Sequence, residues 1–182
     1  MKSETIVISS RIDDKLFSRF AFFDTIVLQK RLRSPLIFTG LMSTFACICY
    51  VFHNRADQAI FMGNVLLIIG FALPLVYFGT FFRSVQNEIT RMNLHTPQLV
   101  YKVYLDDEKD GIVVADPKAS GTAFRSWNDM FGAYRVKGCI YLYVSPRQAF
   151  LLPDGQANVS PDELWAFLQK KLPQEKMKNR IR

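Results

Sequence analysis

Two long stretches free of charge dominate the first half of this chain. Ser34 to Asn54 and Gln58 to Phe82 contain no Asp, Glu, Lys or Arg, and both are dense in Leu, Ile, Val and Phe. A helix crosses the hydrocarbon layer of a bilayer with about 20 apolar residues, and each stretch is long enough. Only Arg55-Ala56-Asp57 separates them. The pattern predicts a transmembrane hairpin over residues 34–82, with spans at 34–54 and 58–82. The first span lies too far from the N-terminus for the apolar core of a signal peptide, so it is expected to persist in the mature protein.

Charge is distributed around this hairpin unevenly. Residues 1–97 carry ten basic and six acidic side chains, 98–169 seven and nine, and 170–182 six and one. The regional balances are therefore +4, −2 and +5. A nucleic-acid-binding domain would carry the excess positive charge itself, and the slightly acidic 98–169 region argues against that class. Lys30, Arg31 and Arg33 precede the first span, Arg83 and Arg91 follow the second, and Arg55 alone lies in the turn. Basic residues near span ends stay on the cytoplasmic side, so both termini are expected in the cytoplasm. Lys30, Arg31, Arg33 and Arg83 become candidate contacts for lipid head groups.

Gly40, Gly63, Gly70 and Gly79 thin the two spans. Small residues let helices approach closely in lipid, so these four are candidate packing positions, against each other or a second copy. Pro74 should kink the second span or free one backbone hydrogen bond. Neither span contains an ionisable Asp, Glu, Lys or Arg, which argues against transport by this chain alone. Cys47, Cys49 and Cys139 do not form a disulfide framework. With only His53 and His95 available, no metal centre is expected.

The remaining segments read as follows. Residues 1–33 combine a β-branched run, Glu4 to Ser9, with an amphipathic helix whose apolar positions are Ile12, Leu16, Phe20, Phe23, Val27 and Leu28. That helix could lie in the membrane interface or pack on the C-terminal domain. Residues 83–97 suggest a juxtamembrane helix ending before Thr96-Pro97. Residues 98–172 form the expected β domain, with strands at 99–105, 111–115, 122–127, 130–136, 139–144 and 149–152. The acidic run Asp106, Asp107, Glu108 and Asp110 reads as a turn, since it lacks the ligand spacing of a calcium loop. A closing helix is specified by Ser160, Pro161 and Glu163, a capping box with proline at the first helical position. The basic tail, 173–182, is expected to be disordered.

The fold class is thus membrane α+β: a two-helix hairpin plus a small antiparallel β domain closed by a helix, of the pleckstrin-homology type. Phe124-Arg125-Ser126-Trp127-Asn128-Asp129, Ile140-Tyr141-Leu142-Tyr143 and Ala149-Phe150-Leu151-Leu152-Pro153 together resemble the signature of the YcxB-like proteins. In that family a Trp-x-Asp/Glu step precedes a β-hairpin, and a strand ending in proline leads into the last helix. The resemblance implies this architecture and a bacterial inner membrane, with no activity attached. Trp127, Asp129 and Pro153 are its marker residues. The structural reading has Trp127 plugging the core and Asp129 capping the next turn; the functional one makes them a ligand contact.

No nucleophile–base pair, phosphate loop or zinc-protease motif is present in the sequence, so neither an enzyme nor a cofactor is expected. Two functions remain. One is a membrane-anchored binding module whose cytoplasmic domain recognises a protein segment or lipid. The other is an accessory, regulatory or immunity-type subunit, or a homo-oligomer, acting through the hairpin itself.

Overall fold

The computed structural model describes residues 5–52, 58–106, 110–116 and 121–180. Glu4, the turn Arg55-Ala56-Asp57 with His53, the acidic pair Asp107 and Glu108, Pro117 and Arg182 lie outside the described residues. The chain divides into two compact units, Ser18–Met92 and a second assembled from Met1–Phe17 with Asn93–Arg182.

Asp13 starts the first helix, α1 (Asp14–Phe22), by accepting the Leu16 N–H on its carboxylate at 2.8 Å. A π-helical turn over Phe23–Leu28 follows, with the Gln29 N–H reaching back to the Asp24 carbonyl at 2.9 Å. Lys30 then adopts φ +52° and turns the chain into α2 (Arg33–Val51). Helix α3 runs unbroken from Ala59 to Arg91, 33 residues. A separate juxtamembrane helix at 83–97 is therefore not found. No breaker interrupts Phe82 to Arg91, and the helix ends where Asn93 adopts φ +55°. Both α2 and α3 are long and apolar enough to cross a membrane. Few of their side chains are buried within the unit: Pro35 and Ala46 on α2, and Gly63, Gly70 and Ile89 on α3.

The second unit contains two four-stranded sheets. One has the order β1-β2-β3-β4, from Ile6–Ile12, Gln98–Leu105, Gly111–Ala115 and Thr122–Ser126, all antiparallel. The other has the order β7-β6-β5-β8, from Gln148–Pro153, Cys139–Ser145, Gly132–Val136 and Met177–Asn179. Strands β5, β6 and β7 are antiparallel, whereas β8 joins β5 in parallel. Ile8, Val103, Leu105, Ile112, Ile140, Leu142 and Leu152 fill one core between the sheets, closed by Leu164, Trp165 and Leu168 of α4 (Pro161–Lys171). The capping box is complete: the Glu163 N–H donates to Ser160 Oγ at 3.2 Å, and the Ser160 N–H donates to Glu163 Oε2 at 2.9 Å.

Two expectations need correction here. Strand β1 does not belong to a separate N-terminal segment. It pairs with β2 from Ile6↔Leu105 to Ile12↔Gln98, and Ile6, Ile8 and Ile12 are buried. The entire segment from Asp13 to Pro97 is thus inserted between two neighbouring strands of one sheet. The tail is also ordered. Beyond Pro173 it makes a 3-10 turn over Gln174–Lys176 and then β8, because Met177 finds a place against the core.

Candidate functional site

Within the hairpin, the four glycines divide into two kinds. A Cβ at Gly63 would lie 3.0 Å from the Tyr50 ring, and one at Gly70 would lie 2.8 Å from Met42 Cβ. These two glycines set the close approach of α3 to α2. Gly40 and Gly79 have nothing within 4 Å of the equivalent position. Pro74 explains a further contact. Its ring nitrogen cannot donate to the carbonyl four residues back, which is that of Gly70. The Thr39 hydroxyl on α2 donates to this carbonyl at 2.8 Å, while also lying 3.0 Å from the Pro35 carbonyl. Nearer the ends of the helices, Tyr50 OH donates to Asn64 Oδ1 at 2.6 Å. Sequence reading noted Pro74 and Gly70 but missed Thr39, whose partner lies on the other helix.

Lys30, Arg31, Arg33 and Arg83 are all exposed. Arg83 lines a cleft of about 370 Å3 with Ser18 and Phe22 of α1 and Phe81, Phe82, Val85 and Gln86 of α3. Ser18 and Phe22 of α1 thus share a cleft with α3, a neighbour that the sequence alternatives of lipid or β domain did not include.

In the β unit, the outer strands differ in what covers them. Loop residues complete β1. The Val7 N–H donates to Asn158 Oδ1 at 2.9 Å, the Arg11 N–H to Gln156 Oε1 at 2.6 Å, and the Ser9 N–H to the Gln156 carbonyl at 3.1 Å. At β7, the Leu151 N–H donates to the Tyr101 hydroxyl at 2.5 Å, and the Leu151 carbonyl accepts from Ser10 Oγ at 2.7 Å. These bonds seam the two sheets together. Burial raises the Tyr101 hydroxyl above its ordinary pKa, and the Leu151 backbone only partly offsets this. Strand β5 is covered by β8. Strand β4 has no second strand partner among the described residues, and Thr122, Ala123, Phe124 and Arg125 are all exposed. Beside it, Val114, Asp116, Thr122, Ala123, Arg125 and Phe150 are among the residues lining a cleft of about 360 Å3.

The marker residues separate by role. Trp127 is buried, edge-on to Phe167 of α4 with centroids 6.1 Å apart, and its indole N–H has no acceptor among the described residues. Asp129 is exposed, and the turn is closed by its backbone N–H on the Ser126 carbonyl at 3.2 Å rather than by its carboxylate. Pro153 is buried at the end of β7, opposite Cys139. The structure thus places Trp127 and Pro153 in the packing and Asp129 on the surface.

Among the described residues, chemistry-bearing groups do not converge. Burial raises the Cys139 thiol above its ordinary range, with Asp154 adding to the effect. A buried thiol of this kind is a poor nucleophile. Cys47 lies exposed on α2. Among the described residues, no three His, Cys, Asp or Glu side chains are grouped so as to hold a metal ion.

No curated protein and no solved structure matches the chain significantly. A protein-family model does match, over residues 108–170. The matched stretch takes in β3 to β7 and nearly all of α4, and excludes β1, β2 and the helical hairpin. The family is described as YcxB-like protein, and the stretch that carries Trp127 and Pro153 is similar to it.

Proposed function

We propose that this protein is a membrane-anchored, non-enzymatic binding module. Its hairpin crosses the bacterial inner membrane with both termini in the cytoplasm, and its pleckstrin-homology-like β unit accepts an extended segment of a partner protein along β4. The hairpin reading is supported by apolar surface. Ile37 and Phe61 are each 70% exposed and Val51 is 74% exposed, a state that water penalises and lipid does not. Lys30, Arg31, Arg33 and Arg83 would then meet anionic head groups. No ligand, cofactor or nucleic acid enters this reading.

One observation carries the binding role: among the described residues β4 has no second strand partner and lies beside an open cleft, while β1 and β5 have their edges filled from within the chain. An unpaired edge offers a row of backbone donors and acceptors to another strand. Phe124 and Arg125 flank that row with an aromatic ring and a cation, and alternate side chains are what give such pairing its specificity. Tethering to a bilayer raises the effective concentration for membrane partners.

Photo-crosslinking in native membranes tests this. A photoreactive residue at Ala123 should yield a discrete adduct, and one at the exposed Asp162 on α4 should not. Equal labelling at both positions, or none at Ala123, would remove the β4 reading.

The alternative, an accessory, regulatory or immunity-type subunit or a homo-oligomer acting through its hairpin, loses two of its four glycines. Gly63 and Gly70 are already engaged between α2 and α3. It now depends on Gly40 and Gly79. If Gly40→Leu with Gly79→Leu abolished a partner's capture and Ala123 gave no adduct in the native chain, the hairpin reading would prevail.

A further inference from the structure

Several features of the β5 edge fit a peptide strand lying on it. Gly132 opens the strand, and a Cβ there would stand 2.6 Å from the Lys176 carbonyl oxygen. A side chain at this position would forbid the close backbone approach, whatever its chemistry. Immediately before it, the turn after Trp127 offers two carbonyls to the tail. Lys176 Nζ donates to the Met130 carbonyl at 2.8 Å and reaches the Asn128 carbonyl at 3.5 Å. The next residue, Met177, packs against the core, and the Arg180 N–H donates to the Arg135 carbonyl at 2.8 Å. Glycine gap and carbonyl seat come from one short stretch, Asn128 to Gly132, the shared core takes the Met177 side chain, and together they fit a lysine followed by an apolar side chain.

We propose that the β5 edge is a recognition site for an extended peptide carrying a lysine directly before an apolar residue, and that the chain's own tail, Gln174 to Arg180, is its resident ligand. The hold is short: β8 has three residues in parallel pairing, and only Met177 of them is partly buried. Backbone hydrogen bonds supply the general affinity and the lysine seat supplies the choice. A partner segment of the same chemistry can replace the tail strand for strand, so the tail regulates access to the site. This site lies on a different strand from the β4 edge and does not depend on that reading.

Full-length protein in detergent micelles and a fluorescent peptide of the tail sequence 174–182 test it. A chain carrying Lys176→Gln and Met177→Ser, whose own tail is weakened, should bind the peptide at least ten-fold more tightly than the native chain. The same two changes in the peptide should cost at least ten-fold, although Lys178, Arg180 and Arg182 remain. Adding Gly132→Ala to the chain should abolish binding. No gain from the weakened tail, or equal binding of the altered peptide, overturns the proposal. Hydrogen exchange on the native chain gives an independent readout should the substituted chain not fold. Amides 177–180 should exchange at least ten-fold faster than those of 140–143, and exchange in step with 140–143 would show a permanent strand and overturn it.

Discussion

Similar residues meet opposite fates in the two units. In the helical hairpin, Leu36, Ile37, Ile68, Leu75 and Val76 each leave 60% or more of their surface uncovered, whereas in the β unit Ile8, Val103, Leu105, Ile112 and Leu142 leave none. The hairpin holds together on a line of small residues and two hydroxyl contacts, Thr39 to Gly70 and Tyr50 to Asn64. The β unit holds together on a shared apolar core. Where water is the solvent, burial of apolar area drives folding. Where lipid is the solvent, that drive is missing between helices, and close fit with satisfied backbone groups takes its place. The contrast therefore ties the internal design of each unit to the medium proposed around it.

The sharpest way to break the comparison is to separate the units. Because Ile12 and Gln98 are register partners, replacing residues 13–97 with an Asn-Gly turn should join β1 to β2 as a hairpin. The product should be soluble, monodisperse and cooperatively folded by circular dichroism. Deleting residues 6–12 from the full chain should instead unfold the β unit, since it removes Ile6, Ile8 and Ile12 from the core. If the deletion left thermal unfolding of that unit unchanged, β1 would not be part of it.

Gly70→Leu should disturb only the hairpin. Overpacking of a tight site costs about 1–3 kcal/mol, and the substitution forces Met42 aside while Gly40→Leu meets open space. Unfolding in detergent should shift for the first and not for the second, with tryptophan fluorescence unchanged in both, since Trp127 and Trp165 lie in the β unit. Within the β unit, Tyr101→Phe leaves the Leu151 N–H without its acceptor, at a cost of about 1–3 kcal/mol. The native tyrosine imposes its own pH limit. Its folded pKa is raised by burial, so its contribution is complete below the unfolded value and is lost as pH rises past about 10. The Tyr101→Phe chain should lack that part of the alkaline loss.

Smaller effects refine the picture. Thr39→Val removes the donor to the Gly70 carbonyl and should cost about 0.6 kcal/mol, the mean for such bonds in membranes. Pro74→Ala restores a backbone N–H four residues on, so the Thr39→Val penalty should shrink in that background. A double-mutant cycle reads this directly, and strict additivity would break the Pro74–Gly70–Thr39 link. Last, the Ser160 N–H, and then its hydroxyl, hold Glu163 below the usual carboxylate range. That contribution is present above the unfolded pKa and fades as pH falls below about 4. Glu163→Gln should therefore be less stable than the native chain at neutral pH, with the difference narrowing as the pH falls into the acid range.

Local signals were readable and long-range ones were not. The capping box at Ser160 and Glu163 involves residues three apart, and the Lys137-Gly138 turn places its glycine at positive φ, observed at 86°. Such features need no knowledge of the rest of the chain. The partner of β1 lies about ninety residues away across an inserted hairpin, and a β-branched run does not name its partner. Likewise, the sequence marks four glycines as candidates, yet only the facing helix separates Gly63 and Gly70 from Gly40 and Gly79. Charge and polarity made the tail look disordered. What orders it is Gly132, the Met130 carbonyl and a socket for Met177, all remote in sequence.

Composition and spacing by themselves settled the kinds of element: two long apolar helices, a run of short strands and one capped helix, because each follows from periodicity and from the conformations its residues allow. Tertiary structure alone decided that β1 completes the sheet, that Thr39 answers the vacancy left by Pro74, and that the tail pairs with β5 while β4 takes no second strand among the described residues. Those outcomes turn on which backbone groups find a partner at a distance, and hydrogen bonds between remote segments exist only once the core has brought them within reach.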